Sequence, residues 1–131
     1  MANTVTTRTI IDGQRHAVIH VHLLCDGASG ELSDVVVVDV SGLSPAPSKV
    51  TIEEIWWDLA GFDAMLEFDA TADTAAWKLP ASSGNGYRCF KEFGGIKDDS
   101  GTGSTGDIVI TTAGFTAATD EGTIVIKVRK D

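Results

Sequence analysis

Short runs of β-branched residues in strict alternation, each stopped by Gly, Asp, Asn or Ser, constrain this chain more than any other feature. A period of two sends successive side chains to opposite faces of a strand, whereas a helix needs a period near 3.6. The clearest run covers residues 15–25. Ala17, Ile19, Val21, Leu23 and Cys25 share one face, and His16, Val18, His20, His22 and Leu24 share the other. One side of this strand is therefore expected to be buried and the other mostly wet.

Similar runs recur along the chain. Residues 4–11 lead into Asp12-Gly13, a two-residue hairpin signal because both positions tolerate positive φ. Residues 32–40 contain four consecutive valines, Val35 to Val38, which predicts a central strand covered on both faces. In residues 50–68, Ile52, Ile55, Trp56 and Leu59 recur at helical spacing, and Thr51 with Glu54 has the form of a capping box. A strand reading places Val50 and Ile52 on one face, then Ile55, Trp57 and Leu59, with a bulge at Glu53-Glu54. Strand is preferred, since Gly61 stops the run and its neighbours are strand-like. Residues 65–68 and 75–79 form two short strands, and residues 82–86 form a turn. The next strand, residues 87–93, has Tyr87, Cys89, Lys91 and Phe93 on one face. The glycine-rich stretch 94–106 reads as the longest flexible loop. Residues 107–112 and 122–129 end the chain as strands, the last with Ile124, Ile126 and Val128 inward and Lys127 and Arg129 outward. The expectation is one all-β domain over residues 1–131, a β-sandwich or jelly-roll-like fold of about eight or nine strands.

Composition narrows the partners. At 131 residues with 43% hydrophobic content the chain fills one core, and no run approaches the ~18 apolar residues of a membrane span. The opening residues have no basic segment followed by an apolar stretch, so no secretion signal is read there. Nineteen acidic residues against ten basic ones give a net charge of −9, which opposes non-specific binding to nucleic acid or anionic lipid. The basic cluster Lys127, Arg129 and Lys130 reads as a solubilising strand end. Two cysteines, Cys25 and Cys89, make no disulfide framework and no CxxC; both read as small buried apolar residues, with one disulfide between them left open.

Motifs that resemble chemistry fail on context. Residues 101–106 match GxGxxG, yet a strand follows where a dinucleotide site needs a helix, and Asp107 stands where a phosphate loop needs lysine. His20 and His22 project from one face, with His16 nearby, but no third ligand accompanies them at local spacing. Asp98-Asp99-Ser100-Gly101 begins like a calcium loop, but the EF-hand spacing fails and no glutamate lies twelve positions on. There is no GxSxG. Asp58, Asp63, Glu67, Asp69 and Asp73 read as solvated surface rather than a glycosidase pair. Trp56, Trp57 and Trp77 suggest a sugar-stacking platform, although adjacent strand residues face opposite ways, and core packing or subunit contact accounts for them better. No catalytic residue, metal ligand or cofactor site is expected.

From about Val50 onward a series of segments occurs in a telling order. It runs through Ile52-Glu53-Glu54-Ile55-Trp56 and Leu66-Glu67-Phe68-Asp69-Ala70-Thr71-Ala72-Asp73. It continues with Gly94-Gly95-Ile96, Gly106-Asp107-Ile108-Val109-Ile110-Thr111-Thr112 and Gly114-Phe115, and closes with Thr123-Ile124-Val125-Ile126-Lys127-Val128-Arg129-Lys130. In this series the chain resembles small virion structural proteins of tailed bacteriophages, over a little more than half its length. The resemblance implies a head decoration (cement) protein or another virion accessory, without catalytic residues, in many copies or as a homo-oligomer. Its implied partner is the major capsid protein lattice and its implied place the outside of the virion. A tail tube, tail-completion or fibre-associated subunit is the alternative, and a carbohydrate-binding module a third reading. Residues 1–9 suit an N-terminal arm or edge strand that adds onto a neighbouring sheet, with Thr4, Val5, Thr6, Thr7 and Arg8 as candidate assembly contacts.

Overall fold

A computed structural model describes residues 3–80 and 85–131. Ten strands occur among the described residues: β1 (Thr4–Asp12), β2 (His16–Leu24), β3 (Val35–Val38), β4 (Val50–Ala60), β5 (Asp63–Phe68), β6 (Thr74–Leu79), β7 (Asn85–Cys89), β8 (Ile96–Lys97), β9 (Ile108–Ala113) and β10 (Glu121–Lys130). They form two antiparallel sheets that pack as a β-sandwich. The larger sheet has the order β1-β2-β10-β4-β7, with β8 also pairing with β4; the smaller has the order β3-β9-β5-β6. No helix among the described residues is long and apolar enough to cross a membrane.

Alternation builds the core. Ala17, Ile19, Val21 and Leu23 of β2 join Ile124, Ile126 and Val128 of β10, and these meet Ala64, Leu66, Phe68, Ile108 and Ile110 of the smaller sheet. Each fully buried Val, Leu, Ile or Phe among them contributes about 1.5–3 kcal/mol. Phe62, before β5, meets Phe115, after β9, edge to face at 4.6 Å. The ambiguous segment is strand, and its bulge falls where alternation predicts. Between Glu54, opposite Lys127, and Ile52, opposite Val128, Glu53 is the extra residue. That extra residue keeps Val50, Ile52, Ile55, Trp57 and Leu59 all buried.

Several local expectations are corrected. The four valines lie in an edge strand, not a central one. A register shift between Val36 and Val38 turns both Val37 and Val38 inward while Val36 stays exposed, so a bulge rather than two-sided cover accounts for the run. The first hairpin closes later than Asp12-Gly13: Gly13 N–H donates to His16 carbonyl at 2.8 Å, leaving Gln14-Arg15 as the turn. Neither Asp12 nor Gly13 takes positive φ. The strand expected over residues 87–93 ends at Cys89, and Lys91–Phe93 form a 3-10 turn instead. Most of the turn expected at residues 82–86 lies outside the described residues.

The glycine-rich stretch 94–106 is pinned rather than loose. It contains β8, and three backbone hydrogen bonds tie its vicinity to the β5–β6 loop. They are Thr71 N–H to Thr102 carbonyl at 3.0 Å, Thr105 N–H to Asp69 carbonyl at 3.1 Å, and Asp69 N–H to Asp107 carbonyl at 3.0 Å.

Candidate interaction surface

The five residues proposed from sequence as assembly contacts, Thr4, Val5, Thr6, Thr7 and Arg8, all lie in β1 at the open edge of the larger sheet. They pair with Leu24, Leu23, His22, Val21 and His20 of β2. Val5 alone of them packs against the core; the other four are exposed. The start of the strand is clamped, since Asn3 Nδ2 donates to Gly30 carbonyl at 2.8 Å and Asn3 Oδ1 accepts from Asp26 N–H at 3.0 Å. Residues 1–2 of the predicted arm lie outside the described residues.

β1 differs from the other edges. β3 is four residues long and bulged, β7 is five, and β6 is six with a register shift against β5. β1 is nine, and regular from Thr4 to Thr9, where a bulge at Ile10 leaves Ile10 and Ile11 both about half exposed. Short edges, bulges and charges are the usual guards against strand addition. Between Thr4 and Thr9 the only charge is Arg8.

The outer face of the larger sheet continues from this edge. Across the strands Arg8 is opposite His20, His20 opposite Val125, Val125 opposite Trp56, and Trp56 opposite Tyr87. The rings of Trp56 and Tyr87 lie 5.1 Å apart. Tyr87 OH donates to Glu54 Oε1 at 2.6 Å, which holds the phenol's pKa well above the usual range and lowers that of Glu54. Lys127 and Lys91 stand 3.6 and 3.7 Å from Glu54 Oε2. The face therefore offers an aromatic pair beside neutralised charges, in an overall acidic chain.

The histidines do not converge on a shared point. His16 Nε2 is 3.1 Å from Glu53 Oε1, and His22 Nε2 is 2.7 Å from Glu121 Oε2. Trp57 is buried while Trp56 faces outward, as adjacent strand positions require. Trp77 packs edge to face on Phe90 at 4.9 Å. Trp57, Trp77, Pro80 and Tyr87 line a cleft of about 500 Å³, and neither indole N–H has a hydrogen-bond partner. Cys25 is buried as expected, whereas Cys89 is exposed because it ends an edge strand; both are free thiols. The carboxylates are not uniformly dispersed. Glu67 and Asp73 come together with Asp34, their ligand atoms within 4.8 Å of one another. Asp34 was missed from sequence, because three separate segments supply this trio and no local spacing marks it. A hydrogen bond shared with Asp73 raises Asp34 above the usual carboxylate range.

These features define a class: an all-β sandwich with an open edge strand continuous with an exposed sheet face. No family model, curated protein or solved structure matches the chain.

Proposed function

We propose that this chain is a virion structural protein of a tailed bacteriophage that coats the assembled head in many copies, its partner the major capsid protein lattice. β1 carries the reading: an edge strand regular from Thr4 to Thr9, with little in that stretch to stop a neighbouring strand from pairing. One such contact is weak, and repetition over a symmetric lattice supplies the strength. The charge of −9 suits a surface in water and opposes the nucleic-acid-filled interior. The segments that resemble phage virion proteins fall mainly in β4, β5, β9 and β10, while β1 and β2 lie outside them. The resembling part is thus largely the core scaffold, and the attachment edge is this chain's own.

The test mixes purified protein with expanded heads that lack it. Saturable binding at a fixed number per capsomer is expected, and Thr4→Lys with Thr6→Lys should weaken it without changing the fold. Failure to bind heads, with sedimentation alongside isolated tails, replaces decoration by a tail role.

A further inference from the structure

The loop between β8 and β9 holds a buried carboxylate with one oxygen unaccounted for. Asp98 is 5% exposed. Its Oδ1 accepts from Ser100 N–H at 3.0 Å and from the Ser100 hydroxyl at 2.5 Å. Its Oδ2 is shielded from solvent and has no hydrogen-bond partner. None of the ion pairs among the described residues includes Asp98. A buried polar oxygen without a partner is uncommon, and buried carboxylates are ordinarily hydrogen-bonded, paired or bound to a metal.

The surrounding donors are all oxygen. Ser100, itself buried, has its Oγ 3.0 Å from Ser104 Oγ. Residues 98, 100 and 102 alternate as Asp, Ser and Thr, and Gly103 then turns the chain at φ +80°. The full twelve-residue EF-hand spacing fails, but oxygen donors at alternate residues followed by a turning glycine match the first half of such a loop. Residues 101–103, next to these donors in the chain, are exposed.

We propose that residues 98–104 bind a hard divalent cation of the calcium class through Asp98 Oδ2 and the hydroxyls of Ser100 and Ser104. Oxygen-only donors disfavour zinc and copper, and a calcium-type ligand spacing suits calcium better than the strict octahedron magnesium demands. Backbone carbonyls and water complete the shell. With one carboxylate the site is weak, on the order of 10⁻⁴–10⁻³ M. Occupancy tightens the loop against Thr71 and Asp69, to which it is already hydrogen-bonded. The inference is independent of the virion reading, since it concerns the isolated chain.

The experiment follows thermal unfolding of the chelator-treated full chain as calcium is added to about 10 mM, above the expected dissociation constant, at fixed ionic strength. A saturable rise in Tm is expected with calcium and a smaller one with magnesium. Asp98→Asn should abolish it, and Glu67→Gln, in the separate acidic trio, should leave it intact. Should Asp98→Asn fail to fold, Ser100→Ala decides, with calcium affinity by calorimetry expected to fall about tenfold. No calcium-dependent rise in the wild-type chain overturns the proposal. So does a rise that survives Asp98→Asn, is lost in Glu67→Gln, or shows unchanged affinity in Ser100→Ala.

Discussion

Lys130 Nζ lies 2.6 Å from Asp12 Oδ1, joining the end of the last strand to the end of the first. The same ammonium donates to Gly13 carbonyl at 2.6 Å, and its side chain is only 5% exposed. Asp12 also accepts from Ser44 N–H at 2.9 Å, and the Lys130 hydrogen bond, first among the causes, lowers its pKa. The two partners are therefore unequal. Asp12→Ala strands a buried ammonium on one carbonyl, whereas Lys130→Met leaves a carboxylate that reaches water. Asp12→Ala should lower Tm by more than Lys130→Met, as measured by calorimetry at neutral pH. Equal losses would mean that the Lys130 ammonium reaches water once Asp12 is removed.

Acid should act through Asp26. The Ser29 hydroxyl, then Ser29 N–H and Ala28 N–H, hold its carboxylate down to about 2. An unfolded aspartate titrates near ~3.9. A lowered folded value stabilises the protein above the unfolded pKa, and that stabilisation fades as pH falls towards about 2. Asp26→Asn should therefore lower Tm at neutral pH, with the gap to wild type closing over that acidic window. A gap independent of pH points to lost turn geometry instead of the charge.

Gly106 and Gly101 should respond oppositely to alanine. Gly106 has φ +85°, and a Cβ there would collide with the Ser48 carbonyl oxygen, a backbone atom that cannot swing aside. Gly101 has open space around the same position. Gly106→Ala should cost about 1–3 kcal/mol in urea unfolding, while Gly101→Ala should be neutral or slightly stabilising. Equal effects would show that this stretch is looser than its hydrogen bonds imply.

The cysteines should differ in reactivity. In the folded chain an aromatic disulfide reagent should modify Cys89 promptly, and Cys25 only after denaturant is added. Two fast-reacting thiols in the native protein would contradict burial of Cys25.

Much of the fold was legible because alternation is local. The inward residues of β2 and β10, and the bulge at Glu53, follow from which neighbours share a strand face. The errors came where alternation is silent. Four valines look alike in a central strand and in a bulged edge strand, and only pairing partners separate the two. Cys89 and the end of its strand depend on where β4 stops pairing with β7, which no residue nearby announces.

The sequence by itself determined the class of structure, the facing of most strands and an acidic surface, since each depends on residues adjacent in the chain or on simple sums. Sheet order, the freedom of the β1 edge (which residues 1–9 only suggested), the Asp34–Glu67–Asp73 trio and the burial of Asp98 were decided by tertiary structure. They arise from contacts between segments tens of residues apart, and both the burial of a charge and the freedom of an edge are properties of what those distant segments cover.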